Sequence, residues 1–536
     1  MRLCVLWLTV ALALACSKQV TAPQAKHDTG SVPPDDAGVP DDAGIPPPPP
    51  PPPPPTKTPS LGSWSKVLDW PVVAIHSHLL PDGRVLTWGH SGDPTVWDPA
   101  TGAFQPAPNP IDIFCGGHSL LSDGRLLVTG GNISNDHGLP DANLFDYRTG
   151  AWTHGPQMAH GRWYPTNTAL PNGEMVITSG EDENSLPNPI PEVWQLDGTW
   201  RELTGASLGM AFYPWMFVAP DGRVFYAGWQ VTSMWLDTHA AGNWTNGPTH
   251  IAKFSRLYGT AVMYEAGKVL VAGGAQDPPV NTTEVIDLTQ PSPAWRSSTP
   301  MNHARHHAVG TLLPDGTVLV TGGSSSPGTN DASGAVLAPE LWDPVTEQWT
   351  DLAPMSKKRL YHSTALLLPD GRVFTGGGGQ PAADGETDNF NAQIYSPPYL
   401  FKPDGTPADR PQIQDAPASV GYGEAFQVAT PQPGAVARVT LVMLGSMTHA
   451  FNQSQRFLRL SVDTGAGGVR ATAPANANLA PPGYYMLFLV GTNGAPSRRQ
   501  WARSPSSWRN LSGARHRPTR TSLPDRRTIG ARSRVQ

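Results

Sequence analysis

The pattern that most narrows what this chain can fold into is one short phrase written seven times. "PDGRVLTWGH" begins at residue 81, "SDGRLLVTGG" at 122, "PNGEMVITSG" at 171 and "PDGRVFYAGW" at 220. "EAGKVLVAGG" follows at 265, "PDGTVLVTGG" at 314 and "PDGRVFTGGG" at 369. The spacing runs from 41 residues (81 to 122) to 55 (314 to 369). Each copy joins an apolar run, an Asp-Gly or Asn-Gly type turn and a Val/Leu-rich strand ending in glycine. Asp-Gly offers the positive-φ positions of a tight hairpin, and the terminal glycines suit backbones crowded near an axis.

A second element separates the copies: "VWDPATGAF" at 96, "LFDYRTGAW" at 144, "LWDPVTEQW" at 341 and "QIYSPPYL" at 393. It reads as two outer strands with an aromatic at each end, a use for many of the 18 Trp. Each repeat is then a four-stranded sheet that buries both faces only when stacked radially on its neighbours. The expectation is an all-β, seven-bladed β-propeller over residues 61–405. The double glycines and aromatic pairs resemble kelch repeats. With 55 Gly, 59 Pro and 15% charged residues, composition also favours turn-rich β-structure.

Residues 406–503 carry short strands, "AFQVAT", "ARVTLVML", "RFLRLSV" and "GYYMLFLV", and are expected to form an immunoglobulin-like sandwich. The N-terminus reads as an export signal over residues 1–15, with Arg2 before a short apolar core. "ALAC" ending at Cys16 resembles a bacterial lipoprotein cleavage box, which makes Cys16 the expected lipidation site. Residues 16–60 form a tether whose ten consecutive prolines would span on the order of 30 Å. No later segment is long and apolar enough to cross a membrane, so a lipid anchor is the only membrane contact expected. A net charge of −6 argues against a nucleic-acid partner, which needs a basic face.

Rotational repetition brings equivalent positions to the axis. The position seven residues before each turn phrase holds Ala74, Cys115, Tyr164, Tyr213, Tyr258, His307 and His362, and Tyr361 precedes the last. Six of the seven can bind metal or carry redox chemistry, and they would meet on rigid strands at one end of a channel. Cys115 is the only thiol beyond residue 16, so it has no intrachain disulfide partner after leader removal. Imidazole and phenolate suit copper or iron, and a Cys near a Tyr suggests a redox side-chain pair. Taken singly, each of these tyrosines could equally serve as wall.

These motifs resemble the copper radical oxidases, the family of galactose oxidase and glyoxal oxidase. "FCGG" at 114–117 is similar to the family's Phe-Cys motif, and "GRWYPT" at 161–166 to the Arg-Trp-Tyr-Pro motif of the glyoxal oxidase branch. "RLYHSTALLLPDGRVFTGGGG" at 359–379 resembles its Tyr-His motif, and "NAQIYSPPYL" at 391–400 its closing blade. "MTHAFNQSQR" at 447–456 resembles its Thr-His motif. The resemblance implies a Cys115–Tyr164 thioether carrying a tyrosyl radical. It implies copper held by Tyr164, Tyr361, His362 and His449, with Tyr361 as axial phenolate and proton acceptor. The sandwich would send a finger into the propeller to deliver His449 from a loop.

The implied function is an exported copper radical oxidase, monomeric, that oxidises a small aldehyde as its hydrate, or a primary alcohol. Oxygen is the acceptor and hydrogen peroxide the product. The alternative is a non-catalytic propeller binding glycan or protein at the cell surface. The tryptophan that galactose oxidase stacks over its modified tyrosine has no counterpart in "SGEDENSLPNP" at 179–189, which predicts a more exposed or differently covered ring. "GGAQDPPVNTTE" and "GGSSSPGTNDASG" make a small, polar rim unsuited to galactose, while Trp163, Tyr213, Tyr258 and His307 are candidates to shape the pocket. Residues 504–536 read as an Arg-rich disordered tail, either a basic extension or frameshifted sequence. In the latter case the sandwich would lack its last strand.

Overall fold

The computed structural model describes residues 59–503, apart from 276, 380–388, 466–467 and 499. The expected leader, Cys16, most of the tether and the Arg-rich tail lie outside the described residues. The regular structure of the described residues is nearly all strand, with short 3₁₀ turns and no α-helix.

Among the described residues, six sheets contain one plan, a four-stranded antiparallel meander that follows chain order, and a seventh varies it. The second is typical, with strands Gly117–Leu120, Leu126–Thr129, Ala142–Asp146 and Ala151–His154. Its first two strands are wholly buried and its fourth is mostly exposed, so burial falls from the inner edge outward. The last sheet departs from the plan. Its strands Ser363–Leu367, Val373–Gly377 and Asn391–Ser396 are completed by Ser63–Trp64 from the start of the domain. Tyr395 Oη donates to Leu61 O at 2.7 Å, fastening that closure.

The aromatic pairs face each other across the two outer strands: Trp97 with Phe104, Phe145 with Trp152, Trp194 with Trp200, and Trp342 with Trp349. Several outer-strand indoles also donate to a backbone carbonyl just past the preceding sheet. Trp152 reaches Ala107 O at 2.9 Å, Trp200 reaches Pro156 O at 2.8 Å, and Trp244 reaches Ala206 O at 2.8 Å. Trp349 reaches Thr299 O at 2.9 Å, and Trp64 reaches Ala353 O at 2.7 Å. Each of these tryptophans therefore buries surface and ties consecutive sheets together.

The turn phrase does not use two positive-φ residues. In "LPDG", Gly83 N donates to Leu80 O at 2.9 Å and Gly83 alone is left-handed, at φ +95°. Asp82 instead accepts from Arg84 N at 3.1 Å. A type I turn closed by a left-handed glycine thus replaces the primed turn; proline's φ near −65° suits its first position, and Ser122 takes the same turn without it, with Gly124 N donating to Leu121 O at 2.9 Å.

The C-terminal strands form a six-stranded antiparallel arrangement in the order Ala425–Val428, Gly468–Thr472, Phe457–Gly465, Val436–Met443, Tyr484–Gly491 and Gln500–Arg503. Its own core gathers Phe426, Val428, Val439, Leu441, Leu458, Leu460, Val469, Tyr485 and Leu487. The strand Gln500–Arg503 pairs with Tyr484–Gly491, so an edge strand is present where the frameshift reading expects none.

Candidate metal centre

The segment expected as a loop around His449 is a β-hairpin. Strands Ser446–Thr448 and Phe451–Asn452 pair with each other, and the former also adds to the inner edge of the first sheet, setting Thr448 opposite His76. His449 and Ala450 occupy the two turn positions at φ +46° and +65°. This is the type I′ geometry that normally selects Asn-Gly.

The residues after the turn anchor the hairpin to four other sheets. Gln453 Oε1 accepts from His118 N and Asn167 N, both at 3.0 Å. Ser454 Oγ meets Ser119 Oγ at 2.6 Å. Gln455 bonds Met263 N and Ala261 O, and Arg456 donates to Val218 O at 3.1 Å. The "NQSQR" run therefore satisfies inner-strand backbone groups that have no strand partner of their own.

Around the ring, the seven-before position has a common backbone. Cys115, Tyr164, Tyr213, Tyr258, His307 and His362 are all left-handed, with φ between +42° and +67°. Ala74 is absent from that set. Neighbours are hydrogen-bonded from sheet to sheet: Tyr164 N to Cys115 O at 2.9 Å, Tyr213 N to Tyr164 O at 2.9 Å, and His307 N to Tyr258 O at 2.7 Å. Non-glycine residues rarely occupy this region, and they cluster where a site over-determines them.

The side chains converge. Tyr164 Oη lies 2.8 Å from Tyr361 Oη and 3.0 Å from His449 Nε2. The His362 ring stacks on Tyr361 at 3.8 Å and stands 4.9 Å from the His449 ring. His362 Nδ1 is engaged by Gly379 O at 3.1 Å, and His449 Nδ1 by Thr448 Oγ1 at 2.7 Å. That leaves the two Nε2 atoms facing inward, and His362 Nε2 is buried without a partner. Burial lowers the His362 pKa to about 3 and pushes His449 well down, so both imidazoles are neutral and can act as ligands. Burial pushes the Tyr164 phenol well up, and Cys115 and Tyr361 add to the shift.

Cys115 is fully buried in an apolar pocket with Val73, Ile75, Phe114, Trp163, Tyr164 and Tyr213. Burial raises its thiol well above the usual value, offset in part by Tyr164 and Trp163 beside it. The Trp163 ring lies parallel to Tyr164, 3.7 Å away at 6°. Tyr164 is therefore covered, only 6% exposed, by its own sequence neighbour rather than by a residue from 179–189. Of the two expected outcomes, a more exposed or a differently covered ring, the structure shows the second.

A metal ion fits this donor set. With bonds of roughly 2 Å, adjacent ligand atoms stand about 3 Å apart, the separation of Tyr164 Oη from Tyr361 Oη and from His449 Nε2. Two phenols and two imidazoles suit copper. A groove of about 670 Å³ lined by Tyr264, Lys268, Asp287, Arg296 and Glu347 shares none of these residues.

One repeated device was not read from the sequence. Arg162, Arg256 and Arg305 each stand two residues before a left-handed residue, and each is buried against a glutamate: Glu192 at 2.8 Å, Glu284 at 2.8 Å and Glu340 at 2.5 Å. Arg359 pairs with Asn391 instead, and burial lowers its pKa to about 9. The signal was present as Arg-x-Tyr or Arg-x-His in "GRWYPT", "SRLYGT", "ARHHAV" and "KRLYHS".

Residues 77–399 match the family described as "Glyoxal oxidase N-terminus", and residues 410–503 match "Galactose oxidase-like, Early set domain". The galactose oxidase of Gibberella zeae is 30% identical over 483 residues, covering 82% of this chain and 70% of its own length. Aldehyde oxidase GLOX of Vitis pseudoreticulata is 28% identical over 495 residues, covering 80% and 88% respectively. A solved structure described as a novel fungal alcohol oxidase of the AA5 family, in complex with copper, superposes with a TM-score of 0.76. It is 26% identical, and the match covers 83% of this chain and 99% of that one.

Proposed function

The chain belongs to the copper radical oxidase family of galactose oxidase and glyoxal oxidase, and on that premise we propose that it oxidises a small aldehyde hydrate or primary alcohol. Oxygen is reduced to hydrogen peroxide. For a hydrate the balance is RCH(OH)₂ + O₂ → RCOOH + H₂O₂. The observation that carries this reading is the approach of Tyr164 Oη to within 3.0 Å of both Tyr361 Oη and His449 Nε2, with the His362 ring, whose Nε2 is unpartnered, 4.9 Å from that of His449.

In this reading Tyr164, Tyr361, His362 and His449 hold the metal. Copper, when bound, supplies one of the two one-electron stores that the reaction needs. Tyr164, joined through a thioether to Cys115, supplies the other as its radical. Tyr361 accepts the substrate hydroxyl proton, and the Tyr164 radical takes a hydrogen atom from carbon. Trp163 shields the radical ring from solvent, and the buried apolar pocket around Cys115 keeps that sulfur from other partners. The small polar rim favours compact substrates over a hexose.

Export through residues 1–15 and lipid attachment at Cys16 belong to the same proposal, as does a monomeric state. No helix among the described residues is long and apolar enough to cross a membrane. Mass spectrometry of a copper-loaded sample tests the core of the reading. A Cys115–Tyr164 crosslinked peptide is expected, lighter than the sum of its parts by the hydrogens lost in forming the bond. Separate, unmodified peptides would remove the radical mechanism.

A further inference from the structure

His307 occupies the same left-handed position as Tyr164 and His362, at φ +57°, but the ligand set does not use it. It is 4% exposed. Its ring stands 4.9 Å from that of Tyr361 and 4.1 Å from that of Tyr258. The backbone of Thr329, in the rim segment "GGSSSPGTNDASG", hydrogen-bonds to the imidazole, while Nε2 has no partner. The nitrogen held by Thr329 is therefore Nδ1, which donates to a carbonyl. Nε2 is left as a bare acceptor. The next rim residue, Asn330, is also fully buried, with both amide atoms unpartnered. Buried polar atoms without partners are costly, and such atoms commonly await a water or a ligand.

A hydrate differs from an alcohol by one group. Its reacting carbon carries a second hydroxyl where the alcohol has hydrogen. Tyr361 is assigned to the first hydroxyl proton, and the second hydroxyl needs an acceptor beside it. We propose that His307 Nε2 is that acceptor, making His307 the residue that selects aldehyde hydrates over primary alcohols. This rests on the proposed function and narrows its substrate class. His307 forms a hydrogen bond and transfers no proton, so the overall stoichiometry is unchanged.

The test uses two probes of one skeleton: chloral hydrate, a stable diol, and 2,2,2-trichloroethanol. Binding to the copper-loaded, radical-free enzyme is read anaerobically from the visible absorption of Cu(II). The native enzyme is expected to prefer the diol. In His307→Phe that preference should fall by about tenfold, the value of one buried hydrogen bond. His307→Gln, which keeps an acceptor oxygen, should retain most of it. Equal weakening of both probes in His307→Phe would reduce His307 to a wall residue, and an unchanged preference would overturn the proposal outright. Failure of the native protein to bind copper or to show the crosslink would instead sink the oxidase reading, and this inference with it.

Discussion

Six non-glycine residues in left-handed backbone, one per sheet, set the geometry of the centre. Each such residue costs roughly 1 kcal/mol or more, and for Tyr164, Tyr213 and His307 a carbonyl of the preceding sheet's left-handed residue holds the backbone through a hydrogen bond. The identities of these residues were legible, because the repeat register names them. Their conformation was not, because no local propensity puts Tyr or His at positive φ. Trp163 shows the same limit: the absence of tryptophan from 179–189 left the cover of Tyr164 open, and the parallel ring 3.7 Å away belongs to the residue just before it. Replacing Trp163 with Phe should cost about 1 kcal/mol of stability, the scale of an aromatic pair. It should also shorten the lifetime of the radical absorption band in the oxidised enzyme. An unaltered lifetime would mean that Trp163 does not protect the ring.

Among the elements, the hairpin 446–452 carries the strain most open to measurement. Ala450 sits at φ +65°, where glycine is at ease and alanine is not. Ala450→Gly should therefore raise stability by about 1 kcal/mol in denaturant titrations and leave the position of His449 intact. A loss of stability would contradict the turn assignment. The buried Arg256–Glu284 pair gives a pH signature. Burial acts to raise the Glu284 carboxyl, but hydrogen bonds from His250, Arg256 and the Ala252 amide outweigh it and hold the carboxyl at about 2. A carboxylate depressed in the folded state stabilises above its unfolded pKa near 4.3, and that contribution fades as pH falls toward 2. Glu284→Gln should cost about 3 kcal/mol at pH 7 by leaving Arg256 unpaired, and should flatten the acid limb of the stability curve between pH 4.5 and 2. A parallel downward shift at every pH would show that Glu284 is not ionised in the fold.

The whole molecule is tied through that hairpin. Gln453, Ser454, Gln455 and Arg456 bond the inner strands of four sheets, so the C-terminal unit cannot unfold without exposing backbone groups in the repeat domain. Calorimetry should show one cooperative transition for the whole protein, and Gln453→Ala should lower its midpoint by several degrees, since two buried amides lose their acceptor. Two well-separated transitions would mean the units are independent. The sequence by itself determined the all-β repeat plan, the aromatic pairing of outer strands, and the roster Cys115, Tyr164, Tyr361, His362 and His449. The plan, the pairing and the positions of Cys115, Tyr164 and His362 follow from periodicity, which is local and recurs with the repeat, whereas Tyr361 and His449 were named by the resemblance to the oxidase motifs. Tertiary structure alone decided three things: that Ser63–Trp64 completes the last sheet, that the strand before His449 joins the first sheet, and that Tyr164 Oη lies within 3.0 Å of both Tyr361 Oη and His449 Nε2. Each of these depends on hydrogen bonds between residues hundreds of positions apart, and such bonds leave no trace in local spacing.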